Sequence, residues 1–215
     1  SNVDTHTYIF LDDVIHQSAN GAPPPGWPSS WGANAVDYGM DPDIVNSPSY
    51  RDTIKNDLKT IPSFSVVIRL PDLFNPSTGI YANPHQDGRN WERPCSLELI
   101  YPDGTEGFRI NGSVEIQGGT SDDRWKDDKL SMQLKFKRPY GPTKLDYDLF
   151  GGDATDSFDT IILDGVLNWS WVHTTDDAQR EGAKYIQDQF VADLQNAMGG
   201  FAPHARYTHL FINGL

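Results

Sequence analysis

LSMQLKFK, residues 130–137, alternates without a break: Leu130, Met132, Leu134 and Phe136 fall on one side, Ser131, Gln133, Lys135 and Lys137 on the other. A strict period of two is the signature of a strand with one face on a core and the other toward water. Upstream of it lie SLELIY (96–101), GFRI (107–110) and SVEIQ (113–117), rich in β-branched and aromatic residues and separated by the turn-forming PDGTE, NG and GGTSDD. SFSVVIRL (63–70) and DTIIL (159–163) read the same way, so a mainly antiparallel sheet is expected from about 63 to 170.

Helical spacing returns near the end. Residues 178–198 place Ala183, Ile186, Phe190, Val191, Leu194 and Met198 on one stripe, with Gly199-Gly200 as the C-cap, and a last strand is expected at about 206–213. The expected fold is therefore α+β, a mainly antiparallel sheet with one long helix packed on it. Residues 61–215 form this body, and 1–60 read as a loop-rich arm. In the arm, TYIFLDDVI (7–15) suggests a short strand, and the Gly/Pro-rich stretch 17–43 suggests loop, with Trp27 and Trp31 crossing to the body. One helix is expected from Ser47 as N-cap and Pro48 at N1, through Tyr50, Ile54 and Leu58, to the stop at Pro62, and PDLFNPSTG (71–79) reads as a connector. RYTHLFINGL (206–215) runs into Asn213-Gly214, a type I′ hairpin signal, which reads as part of a longer protein.

At 215 residues the chain is long enough for one sizeable domain at roughly 150 residues each. Lys plus Arg total 17 against 30 Asp plus Glu, a formal charge of -13, which argues against nucleic acid or an anionic membrane as the main partner. No apolar run approaches the roughly 18 residues of a membrane span. The single cysteine, Cys95, excludes an intramolecular disulfide and reads as a small buried hydrophobe more readily than as a reactive thiol. The six histidines (6, 16, 85, 173, 204, 209) have no zinc spacing, and neither HExxH nor GxSxG occurs.

Several groups carry both a chemical and a bland reading. The carboxylates at Asp122, Asp123, Asp127 and Asp128, and at Asp146, Asp148, Asp153, Asp156 and Asp159, suit acid–base work or simply solvated turns. GGDATDSFD (151–159) offers oxygens to Ca²⁺ but lacks EF-hand spacing. WPSSW (27–31) and NWSW (168–171) suit stacking on sugar rings, or anchoring of loops. Gly118-Gly119, between two strands, offers backbone N–H groups to a phosphate near Lys129, which shares strand parity with Lys135 and Lys137; the alternative is an ordinary solubilising face.

The ordered succession LFNPSTGIYANP, WERPCSLELIYPDGTEGFRINGSVEIQGGTS, DKLSMQLKFKRPYGPTKLDYDLFG, FDTIILDGVLNWSW, YIQDQFVADLQNAMGG and PHARYTHLFINGL resembles the spore-coat-protein-H (CotH) family of atypical protein kinases over about residues 60–215. The resemblance implies the N-terminal part of a divergent kinase-like fold, with ATP and Mg²⁺ as cofactors and Ser or Thr of an unidentified protein partner as substrate. It also implies a place outside the cytoplasm, extracellular or in the cell envelope, since many relatives are secreted bacterial proteins. Gly118, Gly119 and Ser121 match the family's RGxxS turn, and Lys129 the lysine of its KxSxRLxF strand. Lys129 is then the group that neutralises nucleotide phosphates, with Ser121 and Ser131 shaping the pocket. Gln117 and Gln133 stand where the family has arginines, and Asp164 where many members carry another, which lowers the expected phosphate affinity. The family pattern continues past INGL into a YWG strand and the region that supplies catalytic and metal-binding carboxylates, so this chain corresponds to the nucleotide lobe with little turnover of its own. The alternative is a non-catalytic extracellular module that binds a glycan or a surface protein.

Overall fold

The computed structural model describes residues 4–18, 20–31, 34–119, 127, 129–173 and 175–215. In chain order the elements are α1 (Leu11–His16), β1 (Ser30–Trp31), β2 (Asn34–Ala35), α2 (Pro42–Val45), α3 (Ile54–Asp57), β3 (Ser63–Val67), α4 (Leu70–Phe74), β4 (Arg93–Ile100), β5 (Arg109–Ile116), β6 (Met132–Lys135), β7 (Leu145–Asp146), β8 (Ser157–Phe158), β9 (Thr160–Leu163), α5 (Asp177–Glu181), α6 (Gln187–Ala197) and β10 (His209–Ile212). Six strands form one sheet in the order β10-β3-β4-β5-β6-β9; β10 runs parallel to β3 and every other pair is antiparallel. The class is α+β.

Alternation places the core as expected. Phe64 and Val66 of β3, Leu97 and Leu99 of β4, Val114 and Ile116 of β5, and Met132 and Leu134 of β6 share one face and are buried, with Leu130 and Phe136 beyond the ends of β6. Cys95 joins them; burial pushes its thiol up to about 12, so the small-hydrophobe reading fits and the reactive one does not.

The reverse face is not simply wet. Ser65 and Ser113 are fully buried there, and Glu115 nearly so. Part of the cover is the N-terminal segment: Thr5 Oγ1 donates to Ser96 Oγ at 2.6 Å, Thr7 N to Glu98 Oε2 at 2.8 Å, and Thr7 Oγ1 lies 2.7 Å from Ser65 Oγ. The same segment corrects the expected strand at 7–15. Once past these contacts the chain turns at Phe10, whose carbonyl accepts from Val14 N, and LDDVIH becomes α1 with Asp12 and Asp13 in its first turn.

Other expectations fail for identifiable reasons. NG does not turn: β5 passes straight through Asn111 and Gly112, where a Cβ on Gly112 would meet the Lys135 carbonyl at 2.9 Å, so the glycine admits a neighbouring strand. The single helix expected from Ser47 to Pro62 is replaced by turns and the four-residue α3. Thr53 Oγ1 there bonds Tyr50 O and Asp57 Oδ2, a local alternative to continuous helix, while α2 starts earlier, capped by the Asp41 side chain. The connector 71–79 contains most of α4.

The largest correction is the long packed helix. It is two helices, α5 and α6, divided where Tyr185 adopts φ 57°, because the Tyr185 hydroxyl is drawn to Ser170 Oγ at 3.0 Å and accepts from Trp171 N at 2.9 Å. Nor is α6 packed on the sheet: Ile186, Phe190, Leu194 and Met198 stay between 50% and 79% exposed. Gly199 (φ 81°) does close the helix, and Asn213 (φ 53°) with Gly214 (φ 85°) does form the type I′ turn.

Trp27 and Trp31 do cross from the arm. Trp27 lies 5.6 Å from Phe74, and Trp31 lies 5.6 Å from Phe74 and 5.0 Å from Tyr81, ring centre to ring centre. Trp31 Nε1 donates to Tyr38 Oη, which donates to the Pro28 carbonyl.

Leu134 pairs with Ile161 across β6 and β9, and Ile162, which pairs with Gln133, faces the other way; Leu134 is fully buried and Ile162 54% exposed. Leu134→Ala is expected to cost about 2–5 kcal/mol and Ile162→Ala less than about 0.5 kcal/mol in urea unfolding.

Candidate functional site

The end of the β5–β6 hairpin is where the sequence places its phosphate cradle. Ile116 pairs with Met132, and Gln117 N donates to the Ser131 carbonyl at 2.8 Å; Gly118-Gly119 follow β5 and Lys129 precedes β6 at this same end of the paired strands. Ser121 lies outside the described residues, whereas Gly118, Gly119 and Lys129 are exposed.

Three bonds fix the approach to β6. Lys129 N donates to Asp127 Oδ1 at 2.8 Å, Leu130 N to Tyr81 Oη at 2.9 Å, and Ser131 O accepts the bond from Gln117. Ser131 itself is buried: its hydroxyl accepts from Gly165 N at 2.9 Å and donates to Asp164 Oδ1 at 3.2 Å, and Asp164 Oδ1 also accepts from Val166 N at 2.8 Å. These bonds lay the loop after β9 against the lysine. Gly165 is required there, since a Cβ would meet the Lys129 carbonyl at 2.4 Å. Ser131 thus holds a wall of the site, and Asp164 is the partner that keeps it there.

That wall bounds a cleft of about 1730 Å³. Lys129, Ser131, Asp164 and Gln117 line it on the sheet side, Trp169 and Tyr185 further along, Trp31 and Tyr38 from the arm, and residues of α6 and β10 opposite. Gln133 is not on the lining; it pairs with Glu115 and Ile162 within the sheet. Burial raises the Tyr38 hydroxyl above its usual range, partly offset by the Trp31 hydrogen bond, and lowers His209, partly offset by a hydrogen bond of its ring to the Leu58 backbone. The His209 ring therefore favours its neutral form.

Three residues on this lining, Val166 (φ 54°), Trp169 (φ 53°) and Tyr185 (φ 57°), occupy the left-handed region without being glycine. Each such residue costs on the order of 1–3 kcal/mol and persists only where its surroundings over-determine it. Here the surroundings are a polar cluster under the lysine: Asp127 Oδ1 holds Lys129 N, Asp127 Oδ2 lies 3.5 Å from the buried Ser170 hydroxyl, and Ser170 meets Tyr185. Sequence reading named Asp127 only as one acid among four and missed Ser170 and Tyr185. The Trp-Ser-Trp of NWSW was their one visible signal.

The three lysines of common parity do not form one basic patch. Lys135 pairs with Glu115 and lies 3.4 Å from Glu92, and Lys137 also pairs with Glu92; both carboxylates are buried on the reverse face. Burial pulls the Lys135 ammonium downward, but the hydrogen bonds and charges of Glu115 and Glu92 outweigh it and leave its pKa raised. This cluster is structural.

Among the described residues no group of three or more His, Cys, Asp or Glu is arranged to hold a metal ion. In the acidic stretch 146–159 several carboxylates are engaged locally: Asp146 accepts from Ser157 Oγ, Asp148 from Gly151 N, and Asp159 pairs with Lys144. The calcium reading of this loop therefore gains nothing from the geometry.

Comparison with family models, with curated proteins and with solved structures finds no match to this chain.

Lys135→Met strands the buried Glu115 carboxylate, while Glu92 keeps Lys137, and is expected to destabilise the fold by roughly 3–5 kcal/mol in urea titrations near neutral pH. Because the folded-state pKa of Lys135 is raised, its contribution is complete below the ordinary lysine value. It is lost above that value, so the gap between wild type and variant narrows as pH climbs past roughly 10.4.

Proposed function

We propose that the cleft beside Lys129 binds the phosphates of a nucleotide, and that the chain is the nucleotide-binding portion of a CotH-type protein kinase. The observation that carries the reading is the position of Lys129. It is exposed on the wall of the 1730 Å³ cleft, its backbone is fixed by Asp127, and it enters β6 at the end of the sheet where Gly118-Gly119 leave β5. An ammonium group beside glycine backbone N–H groups is suited to a polyphosphate, which needs charge neutralisation and donors more than covalent chemistry. Gln117 on the same lining supplies an amide where the family has an arginine, so binding is weaker than a two-cation site would give.

ATP fits this donor set through Lys129 and the glycine turn; when bound with Mg²⁺ it supplies the transferable phosphoryl group. Among the described residues no group of three or more His, Cys, Asp or Glu is arranged to hold the metal. In the proposed reading the chain binds and orients the nucleotide, and Ser or Thr of a protein partner is the acceptor that the resemblance implies.

A second reading rests on the NWSW rim. Trp171 is 66% exposed and its ring centre lies 4.5 Å from that of Tyr185, an aromatic pair open to a flat apolar face such as a sugar ring. Binding of a polysaccharide on a glycan array, abolished by Trp171→Ala and indifferent to Lys129→Ala, would favour it over the nucleotide reading.

Isothermal titration of ATP into wild type and Lys129→Ala tests the first reading. The variant is expected to bind about tenfold or more weakly, the loss of one charge-assisted contact. Equal affinities would remove Lys129 from the site, and heat-silent titrations of the wild type would remove the nucleotide.

A further inference from the structure

We infer that Trp169 is the plate on which the base of the bound nucleotide stacks, an inference that rests on the nucleotide reading of the cleft. One carboxylate, Asp127, joins the segments that carry Lys129 and Trp169. Asp127 holds Lys129 N at 2.8 Å with one oxygen and faces the Ser170 hydroxyl at 3.5 Å with the other, and Trp169 is the residue before Ser170. Both side chains line the same cleft.

The ring is backed by the chain at Gly182 and is otherwise half exposed. A Cβ on Gly182 would come within 2.7 Å of Trp169 Cζ3 and 2.9 Å of Cε3, so the benzo ring rests on the Gly182 backbone, yet Trp169 remains 47% exposed. Its backbone is clamped, N donating to Gln179 Oε1 at 3.1 Å, and Gln179 is in turn fixed by Asp176, to which its own N and Nε2 donate at 3.1 Å each. Burial of apolar surface does not explain this geometry, because a half-exposed indole at φ 53° gains less from packing than a buried one at a relaxed φ. A held, half-exposed aromatic surface on the same cleft as Lys129 suits a purine or pyrimidine ring, since base–aromatic stacking accepts any base π-face.

The test compares ATP with inorganic tripolyphosphate, which carries the charge without the base, by isothermal titration in the absence of added Mg²⁺. Trp169→Gly, which relieves the positive φ, is expected to bind ATP about tenfold more weakly, toward the affinity of tripolyphosphate, while its tripolyphosphate affinity stays at the wild-type level. Trp169→Tyr retains a plate and is expected to retain most of the ATP affinity. Gly182→Ala pushes the ring from its seat and is expected to weaken ATP alone. A melting temperature of Trp169→Gly at or above that of wild type accompanies these results, because the side chain serves the ligand more than the fold. Unchanged ATP affinity in Trp169→Gly overturns the inference and leaves the nucleotide reading intact if Lys129→Ala still weakens both ligands. Failure of both ligands to bind the wild type overturns the two together.

Discussion

The register of β6 is pinned from both sides, and the cleft wall depends on it. On one face Met132 and Leu134 are sealed in the core; on the other Lys135 is held between the buried carboxylates of Glu115 and Glu92. A slip of one residue would drive the ammonium into hydrocarbon and set Leu134 against two charges left unpaired, and either penalty alone is several kcal/mol. Because the strand cannot slip, Lys129 keeps its place at the entry to β6, and Ser131 its bonds to Gly165 and Asp164. The polar cluster on the back of the sheet thus positions the groups at its end without touching them.

The core face was legible for the same reason that it is well determined. Alternation in LSMQLKFK and in SLELIY reports burial on one side, and a sheet with a buried face enforces that pattern. What alternation does not report is the fate of the second face. Glu115, Lys135, Ser65 and Ser113 look solvated in the sequence, since Ser, Glu and Lys are usually exposed. Their burial follows from contacts distant in the chain, such as Thr7 with Ser65, which no local pattern encodes. Asn111-Gly112 misleads in a related way. The pair favours a turn by its own propensity, but the close approach of the Lys135 carbonyl needs a residue without a side chain, and that need keeps the glycine in mid-strand.

The site was partly legible. The glycines and Lys129 stand out as phosphate-binding types at strand ends, whereas Gln133, placed by motif alone, lies within the sheet and away from the lining. Asp127, Ser170 and Tyr185 come together across more than fifty residues, and each residue type has a commoner, bland use. The continuous helix expected over 178–198 shows the competition directly. Its spacing is sound, but two hydrogen bonds to the Tyr185 hydroxyl fix that residue at a positive φ and end the regular path between Gly182 and Gln187.

Stability is therefore unequal around the cleft. The sheet wall draws on fully buried Leu134 and Val114, on paired charges and on ladder bonds along four strands. The α6 wall is an eleven-residue helix whose apolar stripe faces outward, and helices of that length are marginal in water without tertiary packing. Its supports are local: the bond from Gly199 N to Asn196 O, the bond from Gln195 Nε2 to Phe201 O, and the exchange between Asn196 and Ala202. Opening free energies scale with buried apolar contact, so the α6 side opens before the sheet side does. Lys129 takes its position from the firmer wall, through Asp127 and the loop after β9, whereas Trp169 is seated on Gln179 of α5 and the chain at Gly182, and its neighbour Ser170 on Tyr185 just before α6. Their mutual geometry is therefore coupled to the helical side of the cleft.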